Sequence, residues 1–155
     1  MVTLNARIRG NGELPEVTER LPAEPLVVAP QREVGSYGGI LDGLTNATEA
    51  GTSDILSLRH TNFVRYSADI SEIIPDIAKS WIWNDDFTQL TFELRDGHRW
   101  SDGAPFTSED IVFWFNDLIL NTAIYGKTPS TWVWGDETAK VEAIDVNTVK
   151  FTVPQ

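Results

Sequence analysis

The stretch that most constrains the fold runs from residue 75 to residue 121, where strand, turn and helix signals follow one another without a gap. Within it, residues 88–94 alternate between apolar and polar side chains. Leu90, Phe92 and Leu94 fall on one side, which is typical of a strand with one buried face. The alternation predicts a strand that contributes three side chains to a core.

Two hairpins are predicted from the apolar runs and the turn residues between them. Residues 77–83 precede the alternating strand and are separated from it by Asn and Asp residues at 84–86. That first run is apolar on both parities, so the sequence leaves open which of its faces is buried. Residues 141–153 form the second candidate hairpin, with turn residues at 145–148.

A pair of tight reversals brackets Trp100. Asp-Gly steps occur at 96–97 and again at 102–103, and glycine is favoured where the backbone needs a positive φ. We therefore expect a sharply folded loop between the alternating strand and the next element.

The next element is predicted to be one long helix over residues 107–121. Thr107 is a good N-cap, and Glu109 and Asp110 place negative charge at the positive end of the helix dipole. At about 100° per residue, one arc collects most of the apolar side chains. This predicted core arc consists of Ile111, Val112, Trp114, Phe115, Leu118 and Ile119, with Phe113 and Leu120 on the opposite side.

The order of these elements resembles the N-terminal lobe of the extracellular solute-binding proteins of ABC importers, family 5. The resemblance rests on P-D-I-A-K-S-W at 75–81, D-D at 85–86, and F-E-L-R-D-G-H-R-W-S-D-G-A-P-F-T-S-E-D at 92–110, followed by the apolar helix. It covers residues 35–121 closely and the remainder, as far as residue 154, more loosely. A long ordered match of this kind is more specific than a short motif.

The resemblance implies an α/β (α+β) fold: a mainly antiparallel sheet with one long packed helix, forming a partial lobe of a type II periplasmic-binding-protein fold. We expect residues 1–30 to be a largely irregular extension, with a short strand candidate at 25–29, and residues 31–155 to be the partial lobe. Within the lobe, residues 35–41 resemble the start of the family's first sheet strand, and 46–53 are predicted to be a loop.

Composition excludes several partners and sites. The formal charge is −11, with 23 acidic against 12 basic residues, which disfavours binding to nucleic acid or to an anionic membrane surface. No cysteine is present, so disulfides and thiolate metal sites are excluded. The start of the chain has no apolar signal-peptide core. If the resemblance holds, we expect the export signal to have been removed.

The residues give no pattern for catalysis or for a bound metal or cofactor. Acidic side chains lie at turns or at the helix start, where each has a local structural role; these are Asp85, Asp86, Asp96, Asp102, Glu109 and Asp110. His60 and His98 are far apart in the sequence, and neither has a second histidine three or four residues away. We therefore predict no catalytic residue, no metal site and no cofactor.

Tryptophan is abundant, with six residues in the chain. Trp81, Trp100 and Trp114 lie in predicted regular elements, and we expect them in the core. Trp132, Trp134 and Tyr125 lie in an irregular aromatic segment where stacking on a ligand is more plausible.

The resemblance adds Asn62 and Phe63, because the corresponding crossing segment of family members approaches the ligand. The region after the helix does so too, which includes Tyr125, Trp132 and Trp134. These five residues are the predicted ligand-binding set. They are assigned by position in the chain, since the family has no fixed ligand motif here.

The function implied is that of the solute-binding component of an ABC importer, which captures a peptide or oligosaccharide in the periplasm or outside the cell and delivers it to a membrane permease. Two lobes would close around a solute that is not chemically altered. Two alternatives stay open: a self-contained carbohydrate-binding or interaction module, and a glycoside hydrolase using two turn carboxylates.

The chain is several times shorter than family members. We therefore expect it not to be binding-competent alone and to self-associate through its uncovered sheet edges and the Phe113/Leu120 patch.

Overall fold

The computed structural model of the chain describes residues 15–30, 32–36 and 61–154. Residues 37–41 of the predicted first strand and the predicted loop at 46–53 lie outside the described residues, as does His60. The strands are β1 (Val64–Tyr66), β2 (Ile73–Pro75), β3 (Ala78–Trp83), β4 (Gln89–Leu94), β5 (Val133–Trp134), β6 (Glu137–Thr138), β7 (Lys140–Asp145) and β8 (Thr148–Thr152). The helices are α1 (Val17–Arg20), α2 (Ser108–Phe113) and α3 (Thr122–Tyr125), with a π-helix at Trp114–Ile119 and a 3₁₀ turn at Ser130–Trp132.

A four-stranded antiparallel sheet in the order β3-β4-β8-β7 forms the centre of the described fold. The two predicted hairpins are confirmed, and they join because β4 pairs with β8. Phe92 lies opposite Trp81 on one side and opposite Val149 on the other. The fold class is confirmed as a mixed α and β structure built on antiparallel pairing.

The structure settles which face of the first hairpin strand is buried. A bulge between Ala78 and Ser80 shifts the register, so that Ala78 and Trp81 both face the core. Ala78 is fully buried and Trp81 packs against the core, while Ile82 is exposed. The bulge explains why the run shows apolar residues on both parities.

The core lies between the sheet and the helix that follows it. Helix α2 packs on β7 and β8. The buried side chains are Ala78, Phe92, Leu94, Ile111, Phe115, Ile119, Ala139, Val141 and Val149. No helix in the described ranges is long and apolar enough to cross a bilayer.

The start of the helix is capped as predicted. The Asp110 carboxylate accepts a hydrogen bond from the Thr107 backbone N–H at 2.7 Å and another from the Thr107 hydroxyl at 3.2 Å. The N–H of buried Ser108 donates to the Val146 carbonyl at 3.0 Å, which ties the helix to the turn of the second hairpin. Thr107 therefore ends the loop and starts the helix, as residues of this type do at N-caps.

The second half of the predicted long helix is a π-helix, and this corrects its predicted core arc. Trp114 and Leu118 are 37% and 38% exposed and lie outside the core cluster, whereas Leu120, predicted on the opposite side, packs against the core. The Leu120 N–H donates to the Phe115 carbonyl at 3.0 Å, five residues back. A π-helix turns the chain less per residue than an α-helix, so an arc drawn at about 100° per residue misplaces the later residues.

The predicted strand at 25–29 is wrong, because this segment forms no ladder. Isolated contacts hold the neighbouring residues instead. The Ala23 N–H donates to the Asp96 carbonyl at 2.9 Å, and Arg95 Nη1 donates to the Glu24 carbonyl at 3.0 Å. Prolines at 25 and 30 remove backbone donors that a strand would need.

Strands β1 and β2 form a separate two-stranded ribbon, which we call the arm (residues 61–76). Its turn is organised by Asp69, whose carboxylate accepts hydrogen bonds from the Ser67 and Ser71 hydroxyls, both at 2.7 Å. These bonds lower the pKa of Asp69 from 3.8 to about 2. Ile70 in the same turn has a positive φ of 61°.

Candidate functional site

The first two predicted site residues are fixed by backbone bonds to the start of β3. The Asn62 carbonyl accepts a hydrogen bond from the Ile77 N–H at 3.1 Å. The Phe63 carbonyl accepts from the Asp76 N–H at 3.1 Å and from the Ala78 N–H at 3.0 Å. The arm is therefore held against the sheet at this point, and the Phe63 side chain points to the sheet's aromatic residues.

Phe63 forms the floor of a cavity. Its ring stacks on Phe92 with centroids 4.9 Å apart and meets Phe151 edge-on at 6.3 Å. The cavity has a volume of about 910 Å³. We call it the aromatic cavity; its walls include Asn62, Phe63, His98, Arg99, Trp100 and Phe106.

Trp100 belongs to the wall of this cavity and not to the core, contrary to the prediction. The loop that carries it is closed by an antiparallel β-bridge between Arg99 and Pro105. The backbone N–H of Trp100 donates a hydrogen bond to the Ala104 carbonyl at 2.8 Å. Trp100 is 50% exposed, and its ring lies edge-on to Phe106 with centroids 5.1 Å apart. Its Nε1–H donates to Asp110 at 3.2 Å, so the cap of the helix also orients this wall.

The two Asp-Gly reversals are the sequence signal for this wall, because a tight loop presents its central side chain outwards. Gly97 and Gly103 have φ values of 83° and 90°, which confirms both reversals. Sequence reasoning found the reversals but did not connect them with a site. It missed Phe106 and His98 as wall residues because they approach Phe63 only through the fold.

His98 brings the one imidazole of the described residues to the cavity. Burial lowers the pKa of its imidazole, and a hydrogen bond to the backbone of Ile77 partly offsets that effect. Its Nε2 is buried and has no hydrogen-bond partner among the described residues. The lowered pKa favours the neutral form of this imidazole.

Trp132 lies on the far side of the same aromatic cluster. It packs edge-on to Phe115 at 5.1 Å and to Trp114 at 5.7 Å, and stacks on Phe151 at 6.4 Å. Phe151 also contacts Phe63, so two predicted site residues share a neighbour without touching each other. Most of the Trp132 ring is used in packing against the core.

The other two predicted site residues are not brought to the aromatic cavity. Tyr125 ends helix α3 and is 51% exposed, while Trp134 lies in β5 and is 40% exposed. Neither makes a ring-to-ring contact with another residue in the described ranges. Whether they contact ligand stays a prediction.

The turn carboxylates have the local roles expected of them. Asp86 accepts from the Thr88 N–H at 3.1 Å, and Asp102 accepts from the Ala104 N–H at 2.9 Å. Hydrogen bonds from Thr88 lower the pKa of Asp86. Over residues 15–30, 32–36 and 61–154, no three His, Asp or Glu side chains are grouped as a metal site would require.

Comparison with known proteins gives the same family as the sequence resemblance. The family model described as bacterial extracellular solute-binding proteins, family 5 Middle, matches residues 72–155. The periplasmic alpha-galactoside-binding protein of Rhizobium meliloti is 32% identical over 91% of this chain, and the chain spans 23% of that protein.

Solved structures support the fold. The oligopeptide-binding protein OppA superposes with a TM-score of 0.78 at 37% identity, covering 96% of this chain and 23% of that one. The periplasmic binding protein MelB from Agrobacterium fabrum C58, in complex with stachyose, gives 0.65 at 28% identity, covering 92% of this chain and 24% of that one. The chain therefore belongs to the bacterial extracellular solute-binding proteins of family 5.

Proposed function

We propose that the chain is part of the solute-binding component of an ABC importer, which captures a peptide or oligosaccharide outside the cytoplasm for delivery to a membrane permease. Family membership supports this role. The single structural observation that carries it is the aromatic cavity between the arm and the Trp100 loop. A concave, mostly apolar cavity with a few polar groups is the usual form of a small-molecule site.

The contacts proposed for the solute begin with Phe63 and Asn62 at the floor. The exposed face of Trp100 and the edge of Phe106 would stack on an apolar face of the solute. Tyr125, Trp132 and Trp134 are proposed as more distant contacts after the helix. Stacking surfaces with few hydrogen bonds suit either a sugar ring or a peptide side chain, so both classes stay in the proposal.

The proposed mechanism is closure of a second lobe over this one by a hinge motion. Residues 31–155 would form part of the first lobe and residues 1–30 an extension. The chain spans less than a quarter of the relatives it matches, as the 23% coverage shows. We therefore propose that it binds solute weakly or not at all until the other lobe is present.

A titration tests the proposal. The full reading frame that contains this chain is expressed and titrated with stachyose and with a terminally blocked tripeptide, using calorimetry and tryptophan fluorescence. We expect saturable binding of one class and unchanged solute afterwards by mass spectrometry. Binding of neither class by that protein would overturn the proposal, and cleavage of the solute would favour the hydrolase alternative.

Matched substitutions locate the site. Phe63→Leu should weaken solute binding by about tenfold, because it removes an aromatic face from the floor. Phe87→Leu makes the same change at an exposed hairpin tip, and it should leave binding unchanged. Equal affinities for the two variants would place the solute elsewhere. Strong binding by the 155-residue chain alone would instead favour a self-contained module.

We also propose that the isolated chain self-associates. Strands β3 and β7 are the outer strands of the sheet, and Phe113 is 59% exposed on the outer face of the helix. Open strand edges and exposed aromatic side chains promote pairing between chains. Sedimentation velocity at increasing concentration tests this, and a monomer at the highest concentration would contradict it.

A further inference from the structure

A second cavity lies on the other side of the segment that bears Asn62, and it contains a pair of opposite charges. Its volume is about 560 Å³, and its walls include Arg65, Asp76, Asn62, Leu26 and Val28. We call it the charged cavity. It shares Thr61, Asn62 and Val64 with the aromatic cavity, but neither Arg65 nor Asp76 is among the described wall residues of the aromatic cavity.

The register of the arm places the two charges on one face. Arg65 pairs with Ile74 across the β1–β2 ribbon, and Asp76 follows Ile74 by two residues. Side chains two residues apart along a strand point to the same side, so Asp76 is a diagonal neighbour of Arg65. Cβ atoms in diagonal positions are about 7–8 Å apart, which brings the two charged groups into one site without forcing them into contact.

Neither charge is neutralised within the part of the chain that the structure describes. The ion pairs there involve Lys79 and Lys150, and no hydrogen bond of the Arg65 guanidinium or of the Asp76 carboxylate occurs among those residues. Arg65 Nε is buried and has no acceptor among the described residues. Both side chains are half-buried.

Unpaired opposite charges held apart in an apolar cavity match one ligand chemistry. An α-amino acid carries a carboxylate and an ammonium group a few ångströms apart, and Arg presents a planar fork that pairs with a carboxylate through two parallel bonds. Leu26 and Val28 supply aliphatic surface for a side chain. We propose that Arg65 and Asp76 form a binding site for an amino-acid zwitterion with an aliphatic side chain, Arg65 holding the carboxylate and Asp76 the ammonium group.

This site goes beyond the proposed solute cavity, and the wall residues named above lie in the described part of the chain. It does not require a second lobe. The 155-residue chain is therefore the protein to test, and the outcome is separable from that of the oligosaccharide and blocked-peptide titrations, whose ligands lack this pair of charges.

The experiment is an NMR and calorimetric titration with L-leucine, N-acetyl-L-leucine and L-leucinamide. Leucine has both charges, the acetylated form lacks the ammonium group and the amide lacks the carboxylate. We expect leucine to bind at least about tenfold more tightly than either analogue, since each lost charge pair is worth about a decade or more in affinity. Shifted amides should cluster at residues 62–66 and 73–76.

Two substitutions assign the groups. Arg65→Gln should weaken leucine about tenfold and leave leucinamide unchanged, whereas Asp76→Asn should weaken leucine and leave N-acetyl-leucine unchanged. Arg20→Gln, in helix α1, is the matched control and should change nothing. Circular dichroism checks that each variant folds. If a variant does not fold, the comparison of the three ligands on the unmodified chain tests the proposed site.

Three results would overturn the proposal: equal affinity for the three ligands, no binding of leucine at millimolar concentration, or shifts confined to the Trp100 loop. The last would place the amino acid in the aromatic cavity.

Discussion

The central sheet and the arm differ in how completely they satisfy their own side chains. In the sheet and its helix, Phe92, Phe115 and Val149 are buried together, and Thr107 and Asp110 cap the helix start. In the arm and the loop facing it, Arg65 Nε and His98 Nε2 are buried without partners in the part of the chain that the structure describes, and two cavities flank Asn62. Unpartnered buried polar atoms are rare in proteins and costly, so their presence here calls for an explanation.

The comparison indicates that the central sheet supplies stability, whereas the arm carries the polar groups available for binding. The sheet gains from burying apolar area, and among the described residues none of its buried side-chain polar atoms lacks a partner. Each strand of the arm has three residues, and the arm is attached to the sheet by the backbone hydrogen bonds of Asn62 and Phe63. A two-stranded ribbon is marginally stable by itself, which makes it suited to residues whose polar groups are kept for another molecule.

The largest effect should come from emptying the centre of the core. Phe115→Ala should lower the free energy of unfolding by about 3–5 kcal/mol, because it removes a fully buried ring and leaves a cavity. Phe113→Ala is the matched control on the same helix turn and should cost about 0.5 kcal/mol or less, since the ring is mostly exposed. Urea denaturation measures both. Similar losses would mean that the helix packs by another face.

Hydrogen exchange should separate the two regions next. Amides of β4 and β8, the inner strands of the sheet, should exchange only through global unfolding. Amides of β1 and β2 should exchange at least about tenfold faster through local opening of the arm. Equal protection of the arm and the sheet would mean that the two regions unfold as one cooperative unit, which would contradict the local opening of the arm.

The cap that orients Trp100 gives a smaller effect. Asp110→Ala should lower the free energy of unfolding by about 1 kcal/mol, because it leaves the Thr107 N–H without its side-chain acceptor. It should also change tryptophan fluorescence, since Asp110 accepts from the Trp100 indole. Glu109→Ala, its neighbour in the first turn, should cost about 0.3 kcal/mol and leave the fluorescence unchanged. Equal fluorescence changes in the Asp110→Ala and Glu109→Ala variants would show that the helix cap does not orient Trp100.

Local periodicity was enough to predict the sheet region but not the sites. The alternation of Leu90, Phe92 and Leu94 and the cap at Thr107 are properties of short stretches, and both were correctly predicted from the residues. The predicted arc was wrong because a π-helix rotates less per residue than an α-helix. The pattern of apolar residues does not show this change in rotation. Apolar residues at 25–29 resembled a strand although Pro25 lacks the donor that pairing needs.

The cavities depend on which distant segments meet, and periodicity contains no such information. Phe63 meets Phe92 across 29 positions of sequence, and the Trp100 loop faces both only after the sheet has formed. The resemblance placed Asn62 and Phe63 near a ligand from their position in the chain. Arg65 was passed over because an arginine in a strand has no distinctive pattern until its lack of a partner is visible.

The smallest effect concerns the turn of the arm and should not reach the sheet at all. Hydroxyls of Ser67 and Ser71 hold the pKa of Asp69 at about 2, below the 3.8 of an unperturbed aspartate. Because the folded pKa is depressed, the carboxylate's contribution to the turn is complete above about pH 4 and is lost as the pH falls through about 2. A carbon-detected NMR titration of the Asp69 carboxyl measures that pKa directly.

Ser71→Ala should move the pKa of Asp69 upward, since it removes one of the two hydroxyl donors. Ser130→Ala, outside the arm, should leave it unchanged. In both variants the amides of β4 and β8 should keep their chemical shifts between pH 4 and pH 2.5. Shifts in the sheet that follow the Asp69 titration curve would show that the arm and the sheet respond as one body, because a turn on an independent ribbon has no route by which its protonation reaches the core.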